Sequence, residues 1–348
     1  TFITTELRAA ADALPIEQAE YGRITKGAAL YYLLKYYMHE KLWQNALETA
    51  NEIIGLNYYE LEKDYASIFS AQNEGNKELM FVVRAEPLAD YGNHTYANIL
   101  PGDYASPHGN IVEGWSGHRM PWEFYDTFDE NDRRRALAQA EYTSKSGATI
   151  DLRASGDVGA LPLKYGIDPE ATGTWAGNDK VLDRYAEVLL FKAEALNELK
   201  GEPEYTEAAD NTTYHVLYNP EEIMYYFNMI RYRAGLPGIT LADAGDQVKM
   251  RQLIIRERMI EFACEGRRYH DLRRWGLAET EENKPVQGMD VTKKTTERDQ
   301  FYTVVNVVHK YALRSFDRKM YFYPIPRAVL DKNAKLKQNP GWDGFGDW

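Results

Sequence analysis

Cysteine, long apolar runs and targeting signals are all scarce in this chain of 348 residues. The single cysteine, Cys264, excludes an intrachain disulfide, and its position on the apolar side of a predicted helix favours a small buried hydrophobe. The longest apolar stretch, residues 28–38, is interrupted by Lys35 and is far too short to span a bilayer. The first residues show neither the basic nor the apolar region of a signal peptide. We therefore expect a water-soluble chain.

Basic charge and catalytic motifs are also scarce. The 41 Lys and Arg residues are outnumbered by 53 Asp and Glu residues, which gives a net charge of −12 and argues against nucleic acid or anionic lipid as partners. The sequence contains no GxSxG motif, Walker-type loop or dinucleotide fingerprint. None of the seven histidines has HxxxH or HExxH spacing. No metal, cofactor or catalytic residue is predicted.

Four carboxylates between Asp126 and Asp132 could suggest calcium. Their spacing lacks the alternate-residue ligand pattern and the central glycine of an EF-hand loop. Because residues 133–135 are all arginine, internal ion pairing is the favoured interpretation, particularly for the Asp132–Arg134 pair.

Apolar residues that recur every three or four positions predict a mainly α-helical protein with a few short strands. The predicted helices cover residues 3–13, 24–39, 43–54, 181–199, 219–234 and 247–265, and the predicted strands cover 78–84 and 301–308. Residues 24–54 indicate a tetratricopeptide-like helix pair, in which Gly27, Ala46 and Ala50 permit close approach. Residues 181–234 indicate a second pair. One pair cannot bury its apolar face alone, so the pairs are expected to stack as a scaffold.

Residues 251–276 combine an apolar stripe with charges that alternate in sign at helical spacing. A catalytic interpretation takes Glu257 and Glu261, one turn apart, as an acid/base pair. The structural interpretation pairs each carboxylate with a neighbouring arginine. We favour the second, since structural networks perturb carboxylates as well.

Residues 84–180 predict a long loop-rich insert that carries ligand contacts. The segment is rich in glycine, and its aromatic residues alternate with Asn, Asp, Ser and His. Loops on a rigid scaffold often bind ligands, and this composition suits sugars, since aromatic planes match C–H faces and polar side chains match hydroxyls. The predicted ligand contacts are Trp115, Tyr104, Tyr96, Tyr91, His118 and Asn98.

Trp115 is the foremost of these candidates. Gly114 and Gly117 flank it closely and leave the indole room to project as a platform for a sugar ring. The alternative is that Trp115 fills the core beneath the loop, because tryptophan is usually largely buried. Trp122 and Phe124 begin an apolar helical pattern and are expected in the core.

Several segments, in order, resemble the SusD/RagB family of outer-membrane nutrient-binding lipoproteins. They include ERMIEFACEGRRYHDLRRWG at 257–276 and YPIPRAVLDKNAKLKQNPGW at 323–342, together with segments 24–54, 64–83, 184–198 and 228–237. The resemblance implies one α-helical domain over 1–348. Family members normally carry roughly a further domain upstream, with a lipoprotein signal and an anchoring cysteine. The sequence therefore resembles the later part of a longer protein.

The resemblance implies non-catalytic capture of extracellular glycan. The protein would be held at the outer-membrane surface by an amino-terminal lipid anchor absent from this sequence, and would deliver its ligand to a TonB-dependent SusC-like transporter. Peptide capture, as in the RagB branch, is one alternative. The other is a glycoside hydrolase, in which Glu113 protonates the leaving group and Asp103 or Asp126 acts as nucleophile or base.

Overall fold

A computed structural model describes residues 2–200, 218–281 and 316–342 and, between these ranges, the backbone of a few short strands. The helices are α1 (Phe2–Ala13), α2 (Lys26–His39), α3 (Trp43–Gly55), α4 (Trp122–Tyr125), α5 (Tyr185–Glu198), α6 (Pro220–Arg233), α7 (Leu241–Gly245), α8 (Gln247–Glu261), α9 (Arg267–Arg274), α10 (Ala278–Glu281) and α11 (Arg327–Leu330). The chain is thus mainly helical, as the periodicity predicts. Within the described ranges, no helix combines the length and the apolar character that crossing a membrane requires.

The strands are short and pair locally. They are β1 (Leu79–Val83), β2 (Met120–Pro121), β3 (Ala138–Gln139), β4 (Glu141–Thr143), β5 (Thr149–Asp151), β6 (Gly159–Pro162), β7 (Lys180–Arg184), β8 (Tyr205–Thr206), β9 (Thr213–Tyr214), β10 (Val286–Gly288), β11 (Tyr302–Val304), β12 (Val308–His309) and β13 (Ala312–Leu313). Strand β11 falls within the predicted strand 301–308, of which residues 301 and 305–307 lie outside the described residues.

The helices stack in the order that the predicted pairs imply. Helix α2 packs on α1 and α3, and α5 packs on α3, α6 and α8. Every residue of α5 from Tyr185 to Asn197 is buried, which makes it the central helix of the stack. Ala46 and Ala50 of α3 are fully buried, and a Cβ at Gly27 would overlap the Tyr59 ring. The tetratricopeptide-like scaffold is confirmed.

Side-chain caps determine where three helices begin. Thr25 has an extended backbone and its hydroxyl accepts from the Ala28 N–H (3.3 Å), so α2 begins just after it. Asn219 caps α6 ahead of Pro220, and Asp246 caps α8 in the same way. Such caps satisfy backbone donors that the first helical turn leaves without a partner.

Residues 180–184 form a strand, so the predicted helix over 181–199 begins too early. Strand β7 pairs antiparallel with β1, which confirms the predicted strand over 78–84. The backbone of Arg184 is still extended, and α5 therefore begins only at Tyr185. The run of apolar residues is compatible with a helix or a strand, and the pairing with β1 selects the strand.

The loops between β1 and β7 correspond to the predicted insert and enclose a core of their own. Trp122 is 3% exposed, and its indole N–H donates to the Asp157 carbonyl (2.8 Å). The expected core position of Trp122 is therefore confirmed. Ile260 of α8 belongs to the same core, so the insert sits directly on the helical scaffold.

A buried ion-pair network also joins the insert to the scaffold. Asp132 pairs with Arg134 (2.8 Å), and Arg134 Nη1 lies 2.6 Å from Glu257 and 2.8 Å from Glu261. All four side chains are almost fully buried. These contacts confirm internal pairing for Asp132 and Arg134.

Glu261 is the centre of this network. Besides Arg134, it pairs with Arg184 (2.6 Å) and Arg233 (2.5 Å). Burial alone would raise the pKa of Glu261, but the three guanidinium groups outweigh it and hold that pKa well below its usual range. The structural interpretation of Glu257 and Glu261 is confirmed.

Helix α8 ends at Glu261 rather than at residue 265. The Lys164 ammonium donates to the carbonyls of Glu261 and Ala263 (2.9 Å each) and so satisfies acceptors at the helix end. The chain then turns, and Cys264 adopts a left-handed backbone (φ 64°) and is exposed. The expected buried position of Cys264 is wrong, because the helix stops before it.

Candidate functional site

Two segments of the insert, residues 85–118 and 166–179, pair with each other, and we refer to them as the site loops. Asn93 and Ala176 exchange two backbone hydrogen bonds (3.0 and 2.8 Å). The side-chain amide of Asn93 also donates to the Asn178 carbonyl (2.8 Å). These bonds fix the first segment on the second.

The turn that carries Trp115 is fixed by backbone contacts. The Trp115 N–H donates to the Ala97 carbonyl (2.7 Å), and the Ser116 N–H donates to the Leu100 carbonyl (3.0 Å). Ser116 adopts a left-handed backbone (φ 54°), which L residues rarely do. At Gly114, a Cβ would overlap the Leu100 carbonyl, so only glycine allows this close approach.

Three rings meet on the outer face of this turn, and we call them the aromatic cluster: His94, Trp115 and Trp175. The His94 ring centroid lies 5.0 Å from that of Trp115 and 4.1 Å from that of Trp175. His94 Nδ1 lies 3.0 Å from the Thr174 carbonyl oxygen, which fixes the ring between the two indoles. Trp115 is 53% exposed, so it presents a ring to solvent rather than filling the core.

Tyr96 and Tyr104, two of the predicted ligand contacts, are buried instead. The Tyr96 hydroxyl lies 2.8 Å from the Gly173 carbonyl oxygen. The Tyr104 ring stacks on Tyr142 at a centroid separation of 5.7 Å, and its hydroxyl lies 3.3 Å from Gln139 Oε1. Both residues are at most 5% exposed, so they support the loops and offer no free ring face.

The other predicted contacts lie near the surface. Tyr91 is 70% exposed and precedes Asn93 by two residues. Asn98 is half-buried, and its carbonyl accepts from the N–H groups of Gly117 (2.8 Å) and His118 (2.9 Å), so its backbone positions the Trp115 turn. His118 is exposed and lines a groove of about 690 Å³ between the insert and helices α8 and α9.

His94 and Trp175 are the cluster residues that sequence reasoning did not select. A signal for Trp175 exists, since it stands between Gly173 and Gly177 much as Trp115 stands between its own glycines. Trp175 reaches the cluster by its contact with His94, which depends on the pairing of two segments about 80 residues apart in sequence.

The two aspartates considered for hydrolysis each contact another side chain. The Tyr142 hydroxyl donates to Asp103 (2.8 Å), and Asp126 pairs with Arg153 (2.6 Å). Glu113 is exposed, and its backbone N–H donates a hydrogen bond to a backbone carbonyl.

Burial and nearby carboxylates raise the pKa of the Tyr96 hydroxyl. Burial raises the pKa of Tyr96 to about 12, and the carboxylates of Asp168 and Glu113 add to that rise. Glu113 therefore acts electrostatically on the Tyr96 hydroxyl.

The chemistry available at the site is stacking and hydrogen bonding. Across the described ranges, no group of three or more His, Cys, Asp or Glu side chains is arranged to hold a metal ion. A separate cleft of about 460 Å³ is lined by residues 17–25, 58–59 and 74–82, none of which belongs to the site loops.

Comparison with known proteins gives a consistent result. A family profile, that of the SusD family, matches residues 118–342. A SusD-like protein of Formosa agariphila is 29% identical over 299 residues, which cover 79% of this chain and 55% of the relative. A SusD-like protein of Bacteroides ovatus is 25% identical over 301 residues, covering 79% and 50%. The chain thus spans about half the length of the curated relatives it matches.

Solved structures show the same fold. A SusD-like protein from Bacteroides fragilis is similar with a TM-score of 0.73 at 24% identity, covering 98% of this chain and 70% of that one. Surface glycan-binding protein A from Bacteroides thetaiotaomicron, in complex with laminarihexaose, has a TM-score of 0.66 at 23% identity, covering 97% and 69%. The profile match extends over well over half of the sequence, and the helical stack is that of the solved relatives. This chain belongs to the SusD family.

Proposed function

We propose that this chain binds glycan on the aromatic cluster without breaking a bond in it. The observation that carries the proposal is the exposed indole of Trp115, fixed by its backbone and backed by His94 and Trp175. A rigid aromatic face suits the C–H face of a sugar ring and loses little conformational entropy on binding. The surface glycan-binding protein that was crystallised with laminarihexaose supports this assignment through its shared fold.

The non-catalytic part of the proposal rests on the carboxylates. Hydrolysis of a glycoside requires two carboxyl groups on either side of the scissile bond, about 5–9.5 Å apart. Asp103 accepts a hydrogen bond from Tyr142 and Asp126 pairs with Arg153, so each of these two carboxylates already has a side-chain partner. A surface of this kind can hold a glycan and release it unchanged.

The cellular setting is part of the same proposal, and membership of the family supports it. The protein would stand at the outer-membrane surface, anchored by lipid through an amino-terminal segment, and would pass its ligand to a TonB-dependent SusC-like transporter. Support comes from the SusD family profile and from relatives described as SusD-like or as surface glycan-binding proteins.

Affinity electrophoresis on gels with embedded polysaccharides tests the binding, with wild type, Trp115→Ala and Tyr225→Ala compared on each gel. Tyr225 is 60% exposed on α6 and serves as a matched control outside the site. We expect Trp115→Ala to weaken binding by about 1–3 kcal/mol, or roughly 5- to 150-fold, and Tyr225→Ala to have no effect.

Catalysis is tested separately by incubating the bound glycan with wild-type protein and assaying reducing ends. None should appear. Release of sugar that Glu113→Gln abolishes would establish the hydrolase instead. Binding of a peptide library, with no polysaccharide retained on any gel, would establish peptide capture.

A further inference from the structure

The site loops contain an unusual distribution of charge. Residues 85–118 and 166–179 contain no Lys and no Arg, although the whole chain contains 41 of these residues. The same two segments contain seven Asp and Glu residues. The two segments that carry the aromatic cluster therefore contain only acidic and uncharged residues.

One of these carboxylates shares a face with the indole of Trp115. Burial alternates along 111–115: Ile111, Glu113 and Trp115 are exposed, whereas Val112 between them is buried. In an extended segment, residues two apart project to the same side. Glu113 therefore stands beside the ring that a ligand would contact.

Further carboxylates of the site loops also face solvent. They are Glu86, Asp90, Asp103 and Glu170. Like Glu113, they carry negative charge, which repels an anionic ligand that comes within about the Debye length of 8 Å at physiological salt.

Two basic residues close to the Trp115 turn, Arg119 and Lys145, are held by protein acceptors. Arg119 Nε lies 3.1 Å from each carboxylate oxygen of Asp157. The Lys145 ammonium donates to the carbonyl of Gly102 (2.8 Å) and lies 3.5 Å from that of Val112. Each cation would have to leave these partners before it could bind an anionic ligand.

We propose that the aromatic cluster selects uncharged glycans and discriminates against glycans that carry carboxylate or sulfate groups. This inference rests on the proposed function and specifies its ligand class. Anionic groups are normally recognised by Arg or Lys through charge-assisted hydrogen bonds, and the site loops offer neither. The exposed carboxylates repel a polyanion, whereas a neutral sugar ring needs only the indole faces and polar rim atoms.

The experiment compares two panels of polysaccharides by affinity electrophoresis and by titration of matched-length oligosaccharides. The neutral panel contains α-glucan, β-glucan, mannan and xylan, and the anionic panel contains polygalacturonate, alginate and a sulfated galactan. Measurements are made at pH 8, where imidazole is neutral, in about 20 and 300 mM NaCl. We expect binding within the neutral panel that does not depend on salt, and no retention by the anionic panel.

Two charge reversals separate a local effect from an effect of net charge. Glu113→Lys and Glu40→Lys change the net charge equally, but Glu40 is exposed on the turn between α2 and α3, outside the site loops. We expect Glu113→Lys to increase affinity for the anionic oligosaccharides by up to about fivefold at low salt, with the gain lost at high salt. Glu40→Lys should produce no such gain.

Equal or tighter binding of the anionic panel by wild type would overturn the inference while leaving glycan binding intact. Equal gains from Glu113→Lys and Glu40→Lys would overturn it as well, since net charge would then account for the selectivity. Retention of neither panel would refute the proposed function itself, and the charge selectivity with it.

Discussion

Substitution of Glu261 by glutamine tests the ion-pair network that fixes the insert on the scaffold. The substitution keeps the shape of the side chain and removes its charge. Glu261 is fully buried and contacts Arg134 (2.8 Å), Arg184 (2.6 Å) and Arg233 (2.5 Å), so the three guanidinium groups lose a shared counter-charge. Removing one partner of a buried ion pair costs about 3–5 kcal/mol.

That cost is large relative to the stability of a domain, which is typically about 5–15 kcal/mol. Urea unfolding, followed by circular dichroism and tryptophan fluorescence, should show a midpoint well below that of wild type with a similar slope. The matched control is Glu52→Gln. Glu52 pairs with Arg8 (2.6 Å), but both side chains are more than a third exposed, and such pairs contribute about 0.2–1 kcal/mol.

A comparison of the two glutamine variants can refute this reasoning. If Glu261→Gln lowers the free energy of unfolding by no more than Glu52→Gln does, the buried network does not fix the insert, and the reasoning is refuted.

Three further predictions concern the stability of the scaffold and the site. Trp115→Ala should change the free energy of unfolding by less than about 1 kcal/mol, whereas Trp122→Ala should cost about 3–5 kcal/mol in the same urea assay, because only Trp122 is buried. Burial would raise the pKa values of Glu187 and Glu261, but neighbouring arginines outweigh it and hold both below the usual range. Their stabilising contribution should be complete above about pH 5 and decline below about pH 4, which urea unfolding across pH would detect. Gly114→Ala should weaken glycan binding, measured by titration, because a Cβ there displaces the Trp115 turn.

Much of the scaffold follows from sequence periodicity. Helices α2, α3 and α6 begin and end within two residues of their predicted limits, because the caps of α2 and α6 and the small buried residues of α3 are local signals. Strand β7 and the end of α8 were not predictable in this way. The first depends on pairing with β1, and the second on the Lys164 ammonium, which arrives from the insert.

The site was predictable only in part, for a similar reason. Glycines close to Trp115 indicate an exposed ring, and the ring is exposed. Tyr96 and Tyr104 have similar neighbours in sequence, yet both are buried, since their hydroxyls find acceptors on segments distant in the chain. Trp175 joins the cluster through that same long-range pairing.

Indole NMR signals provide the most direct test of glycan binding on the aromatic cluster. The chain contains seven tryptophans, and those of Trp115, Trp175 and Trp122 can be assigned by single substitutions to phenylalanine. Titration with an oligosaccharide from the neutral panel should shift the indole signals of Trp115 and Trp175. The signal of Trp122, whose ring is buried and whose N–H donates to the Asp157 carbonyl, should stay in place. Saturable binding that leaves both cluster signals unmoved would contradict the account.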